Sequence, residues 1–188
     1  MTLAANENEP AWVDEVLDFW FGLPPEAWFQ KSEAFDRECE SRFRPTYDAL
    51  ARQSAGAIAT SPRHALAAVI VLDQFSRNIF RDTPQAFAAD PLARAVANLA
   101  IERGWDTGLS KEQRTFLYLP FEHSEDVGDQ AKSVALFEAL GDDFYLSFAV
   151  AHRDIVARFG RFPHRNAVLG RTSTAEETAF LQQPGSSF

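Results

Sequence analysis

The sequence predicts an all-α chain, a single domain of eight or nine helices in antiparallel pairs. Three observations carry this reading. Apolar residues recur at three- and four-residue spacings, Ser, Thr or Asp followed by Pro or Glu marks one helix start after another, and no stretch alternates with period two between hairpin turns. With 188 residues, 46% of them hydrophobic, and 17 Phe and 4 Trp, the chain can bury one sizeable core and is too apolar to stay disordered.

Residues 1–9 read as a frayed N-terminus and 182–188 as a flexible tail, leaving 10–181 as the folded domain. Pro10 opens the first helix, in which Val13, Val16, Leu17, Trp20 and Phe21 share one face up to Gly22. Ser32 caps a second helix carrying Phe35, Cys39 and Phe43, and Pro45 is expected to restart the chain into a third. Ser61-Pro62 launches the most apolar helix, roughly 62–76, and Asp90-Pro91 repeats the device for a helix ending at Gly104. Ser110 begins a helix expected to stop at Pro120, and Ser124 begins the next with Glu125 and Asp126 in its first turn. Residues 143–159 make a long helix closed by Gly160, and Thr174 with Glu177 forms a capping box for a last short one.

Composition then narrows the function classes. A net charge of −9, from 27 acids against 18 bases, would repel a phosphate polymer, so no nucleic-acid partner is expected. The longest apolar run, Ala65 to Leu72, is too short for a bilayer that needs about 20 residues, and Met1–Glu9 lacks the features of a signal peptide. The lone Cys39 excludes an intramolecular disulfide. No membrane partner and a cytoplasmic location follow as expectations. Oligomeric state is not legible. No Gly-rich phosphate loop, nucleophile elbow or dinucleotide fingerprint is present, and no cofactor is implied. The pairs His123/Glu125 and His152/Asp154 are two residues apart and would diverge by about 200° on a helix, so no local metal site is expected either.

Polar groups that interrupt apolar patterns are the candidates for chemistry. Asp73, Arg77 and Asn78 end the apolar helix. Asp73 and Arg77, four apart on one face, suit a buried ion pair or a ligand contact. His123 and Glu125 follow a Pro-Phe turn, and an imidazole there can titrate near neutrality. His152 falls within the apolar face that Phe144, Phe148, Ile155 and Phe159 define, with Arg153 pointing away and Asp154/Arg158 expected as a pair. Residues 150–171 hold five Arg (153, 158, 161, 165 and 171) and one acid, Asp154, a local +4 in an acidic chain. Arg161, His164, Arg165, Asn166 and Arg171 form the loop after Gly160, and clustered guanidinium forks suit carboxylate or phosphate.

Several of these strings resemble the signature blocks of a bacterial family, number 924 in the domain-of-unknown-function series. They are Leu72-Asp73-Gln74-Phe75-Ser76-Arg77-Asn78, Leu119-Pro120-Phe121-Glu122-His123-Ser124-Glu125-Asp126 and Phe159-Gly160-Arg161-Phe162-Pro163-His164-Arg165-Asn166. Val16–Gly22 and Leu169–Thr174 match as well, so the resemblance runs over roughly residues 12–181. Ser76 departs from the pattern, where Pro would sharpen the helix end and Ser would be expected to cap instead. The resemblance implies a tetratricopeptide-like, right-handed helical array and no established activity.

Two functional readings remain. In one, Arg/His residues line a cleft for a small anionic ligand bearing phosphate or carboxylate, with His123, Glu125 and His152 as an acid–base hydrolytic set. In the other, the helices are a tetratricopeptide-like scaffold for a peptide or protein and the Arg/His set is structural.

Overall fold

The computed structural model describes residues 9–186. The frayed end expected at 1–9 and the tail expected at 182–188 thus fall outside the described residues at 1–8 and 187–188. The chain is 71% helical, and no strand occurs among the described residues. None of the described helices is long and apolar enough to cross a membrane. The helices gather into two compact units, Met1–Arg81 with Gln85–Pro120, and Asp82–Pro84 with Phe121–Phe188.

The first unit contains α1 (Ala11–Phe21), α2 (Glu33–Leu50), the short α3 (Ala55–Ile58), α4 (Pro62–Val69), α5 (Ser76–Ile79), α6 (Asp90–Glu102) and most of α7 (Lys111–Glu122). Its core is aromatic. Trp20 and Trp28 each meet the edge or face of Phe116, at 5.2 and 5.0 Å between centroids, and Phe43 stacks on Phe75 at 4.5 Å. The Trp28 indole N–H donates to the Trp20 carbonyl at 2.8 Å, so its polar edge is satisfied inside the core.

Caps expected at Ser32, Ser61 and Thr174 are formed, each side chain accepting a first-turn amide. Four boundaries differ, and each difference has a physical reason. Pro45 does not restart the chain, because α2 runs through it with Cys39, Phe43, Tyr47 and Leu50 buried on both sides. Burial of that face outweighs the roughly 3 kcal/mol a mid-helix proline costs. Pro120 likewise sits inside α7, between buried Phe116–Leu119 and buried Phe121. Asp90 is not a cap: Ala89 holds that position and the Asp90 carboxylate is turned to Arg77. Ser124 does not begin α8 (Val127–Leu140), whose cap is Asp126, accepting from the amides of Gly128 and Asp129.

The apolar helix is longer than expected. After α4 it continues through a π-helical segment, Ile70–Phe75, into α5. All six residues of the segment are buried. Ser76, buried within this run, donates its hydroxyl to the Asp73 carbonyl at 3.1 Å and so does not act as the expected cap.

In the second unit, α8 packs along α9 (Asp143–Phe159), and α10 (Ala175–Phe180) closes the chain's helical part. Gly141, at φ +70°, turns α8 into α9, and Gly160, also at +70°, ends α9 as expected. A side chain would strain either position. Ile155, Val156 and Phe162 form a small core with Phe159 and Phe180 against it.

Candidate functional site

The polar residues singled out from the sequence fall into separate arrangements within the two units. In the first unit, Asp73 is fully buried, and Arg77 reaches both its carboxylate, at 3.2 Å, and its carbonyl, at 2.5 Å. Arg77 also forks onto Asp90 with two bonds of 3.0 Å. One guanidinium thus answers two carboxylates. Against the cost of burial, that pairing raises the affinity of Arg77 for its proton. Asn78 and Arg81 both donate to Asp36, at 2.8 Å and at 2.5–2.6 Å. Although burial works against its charge, these donors hold the Asp36 carboxyl below its ordinary range.

In the second unit the site begins at the end of α7. Gln130, fully buried on α8, donates through Nε2 to the carbonyls of Glu122 and Ser124, at 2.7 Å each. That satisfies helix-terminal acceptors and fixes the turn carrying His123. On α9, His152 is 4% exposed. Its Nδ1 lies 2.9 Å from the Phe148 carbonyl and 3.2 Å from the Glu122 carboxylate. Burial first, and then the charges of His123, Arg165 and His164, hold this imidazole down at about 3. At pH 7 His152 is therefore neutral, and its Nδ1–H faces the Phe148 carbonyl and the Glu122 side chain.

Phe162 is the hub. The His152 ring meets it edge-on at 5.5 Å, the His164 ring lies 5.6 Å away, and the Arg165 guanidinium stands over it at 4.5 Å. His123 joins from the turn, 6.2 Å from His152. Burial and the Arg165 charge push His164 down to about 4. Two imidazoles and a buried guanidinium are thus collected around one phenyl ring, with His123 beside His152.

The other candidates brace this arrangement. Glu125 accepts from the Phe162 amide at 2.7 Å and forks with Arg171 at 2.7 and 2.9 Å. Burial opposes its charge, but Arg171 and the Phe162 amide prevail and keep the carboxyl below its usual range. Arg161 forks onto buried Glu177 at 2.6 and 2.8 Å and also donates to the Thr172 carbonyl. With Arg161 first and the Thr174 amide second, Glu177 is held at about 2. Asn166 donates to the Ser173 hydroxyl at 3.0 Å.

The local +4 of residues 150–171 is largely matched in space by acids from elsewhere in the chain. Arg158 meets Glu176 rather than the expected Asp154, which instead accepts from Arg153. Arg161 and Arg171 are similarly committed to Glu177 and Glu125. The sequence pointed to no role for Glu122, Asp36 or Phe162, and for Asp90 only to a helix cap. For Glu122 a signal existed, since an acid stands directly before His123 at the buried end of an apolar helix. No group of three or more His, Cys, Asp or Glu that could hold a metal is found among the described residues.

A solved structure from Agrobacterium tumefaciens, titled as the protein of unknown function ATU0120, is similar to this chain at 45% identity and a TM-score of 0.87. The likeness covers 92% of this chain and 97% of that one. No curated protein matches. A family model described as "Bacterial protein of unknown function (DUF924)" matches residues 16–185, and the chain belongs to that family.

Proposed function

We propose that the second unit binds a small anion, phosphate- or carboxylate-bearing, at the group formed by Arg165, His164, His123 and His152. The observation that carries this is the gathering of the Arg165 guanidinium and the His152 and His164 rings on Phe162, with His123 beside His152. A buried guanidinium is strongest toward an anion where water is scarce. In this reading Arg161, Asn166 and Arg171, held by Glu177, Ser173 and Glu125, shape the loop rather than touch the ligand. Asp73, Arg77 and Asn78 hold the first unit together.

The same group offers acid–base chemistry. His152, neutral and oriented by Glu122, lies beside His123, whose ring is the neighbouring group for proton transfer. Hydrolysis of a phosphate or carboxylate ester is the reaction such a set serves. Glu125, engaged by Arg171 and the Phe162 amide, positions the loop instead of handling protons. A second reading, the tetratricopeptide-like scaffold for a peptide, draws on Phe144 and Phe148, which stand exposed on α9.

A thermal-shift screen at pH 7 and fixed ionic strength, with phosphate, sulfate and citrate against chloride, tests the proposal. A ligand specific to the folded state at a hundredfold excess over its Kd adds about 2.7 kcal/mol, a few degrees in Tm for a chain of this size. The shift should vanish in Arg165→Gln and persist in Arg153→Ala, whose side chain is an exposed partner of Asp154. Equal sensitivity to the two variants would leave the scaffold reading.

A further inference from the structure

We infer that Gln130 is a positioning residue for the acid–base pair His152 and His123, an inference that rests on the anion-binding reading. It holds the turn carrying Glu122 and His123 in place beside α9. Gln130 stands on α8 fully buried, on the same face as buried Val134 and Phe137. A buried carboxamide costs stability unless it is hydrogen-bonded, and an apolar side chain would pack there without that cost. The two N–H groups of its Nε2 serve the carbonyls of Glu122 and Ser124, at 2.7 Å each, while its Oε1 has no hydrogen-bond partner. The donors are therefore what this residue contributes.

The end of α7 creates the need for them. α8 and α9 are each followed directly by a glycine at φ +70°, Gly141 and Gly160, a conformation that turns the chain back over the last carbonyls. The same place after α7 is held by His123, and no residue of 122–128 has a positive φ. A side chain disfavours the left-handed turn, so the last carbonyls of α7 require a donor from elsewhere. Gln130 supplies it from α8. An imidazole can then stand where a helix end ordinarily places glycine.

One turn thereby serves two neighbours. The Glu122 carboxylate reaches His152 Nδ1 on α9 at 3.2 Å, whereas Glu125 accepts from the Phe162 amide at 2.7 Å. His123 lies between them in sequence, with its ring 6.2 Å from that of His152. α8 grips the turn a second time, where the Ser124 hydroxyl donates to Asp129 at 2.6 Å. That second tie acts at Ser124, and it is Gln130 that holds the backbone of Glu122, whose side chain orients His152.

The test is side-chain NMR at pH 7 of Gln130→Met, similar in volume but without the donors, first free of phosphate and then titrated with it. The variant should lose the ring-proton NOE between His123 and His152 and keep the one between Phe162 and His164. Its phosphate Kd should rise about tenfold, the loss expected for one hydrogen bond to the anion. Asp142→Ala, which removes the α9 cap and so also lowers stability, should keep both the His123–His152 NOE and the affinity. An NOE that survives in Gln130→Met, or one lost equally in Asp142→Ala, would overturn the positioning role. Should Gln130→Met not fold, Gln130→Asn, whose amide falls one methylene short of the carbonyls, carries the same expectation. The wild-type protein gives a check that needs no variant. Its two Gln130 carboxamide protons should exchange with water at least about a hundredfold more slowly than those of a free glutamine side chain, and exchange at the free rate would overturn the inference. Absence of phosphate binding by the wild-type protein would defeat the anion-binding reading, while the phosphate-free NOE and the carboxamide protons would still decide the role of Gln130.

Discussion

The two polar clusters, each built into apolar helices, handle charge in opposite ways. Around Arg77 acids meet guanidinium and amide donors, and geometry closes the set: Asp73 and Asp90 share one guanidinium, and Asp36 takes Arg81 and Asn78. Around Phe162 stand His152 and His164, two imidazoles that burial keeps neutral, beside a buried guanidinium. Fixed pairs lock a fold, whereas neutral imidazoles beside a positive charge can respond to an incoming anion. On this difference rests the proposal of an anion site in the second unit.

The contrast is broken most severely at Arg77. Arg77→Met should destabilise the protein by about 3–5 kcal/mol in urea unfolding, because it strands the buried Asp73 and leaves Asp90 facing it. Replacing Asp73, Arg77 and Asp90 together by apolar residues should recover much of that loss. Additive damage in the triple variant would mean that the three do not act as a unit.

A smaller effect, of opposite character, is expected at the histidines. His152 and His164 sit at about 3 and about 4 in the folded state, against about 6.5 unfolded. Between pH 6.5 and 4 the unfolded chain therefore takes up protons that the native one does not, so stability falls as pH falls through that window. Each histidine contributes a slope of at most about 1.4 kcal/mol per pH unit. His164→Asn should flatten the profile, and an unchanged slope would show that His164 titrates normally.

Glu125→Gln should cost about 1–2 kcal/mol at pH 7, through weakened bonds to Arg171 and the Phe162 amide. Because the folded carboxyl lies below its ordinary 4.5, this contribution is present above that pH and is lost as pH falls through the lower folded value. The wild-type and variant stability curves should converge in acid. The mildest effect is at the capping box, where Thr174→Ala should cost about 1 kcal/mol by calorimetry.

How much of this was legible depended on range. Local signals read well. Ser61-Pro62, Thr174/Glu177 and Gly160 are decided within four residues, and each marks the boundary it was expected to mark. Pro45 and Pro120 misled because their local cost is outweighed by burial that only the tertiary structure supplies. The Asp73–Arg77 pair was legible at i, i+4, but its second carboxylate, Asp90, stands thirteen residues away. For the site, His152 was visible as a break in an apolar face. The charge count over 150–171 could not show that Glu125, Glu176 and Glu177 would return to claim three of its arginines.

The most direct test of anion binding at Phe162 is a side-chain NMR titration of the four histidines, with and without saturating phosphate at constant ionic strength. His164 and His152 should move up toward the ordinary imidazole range when phosphate is bound, because its negative charge offsets that of Arg165. His64, in the first unit, should not move, and Arg165→Gln should abolish the difference. Identical titrations with and without phosphate, or shifts of equal size at His64, would contradict the account.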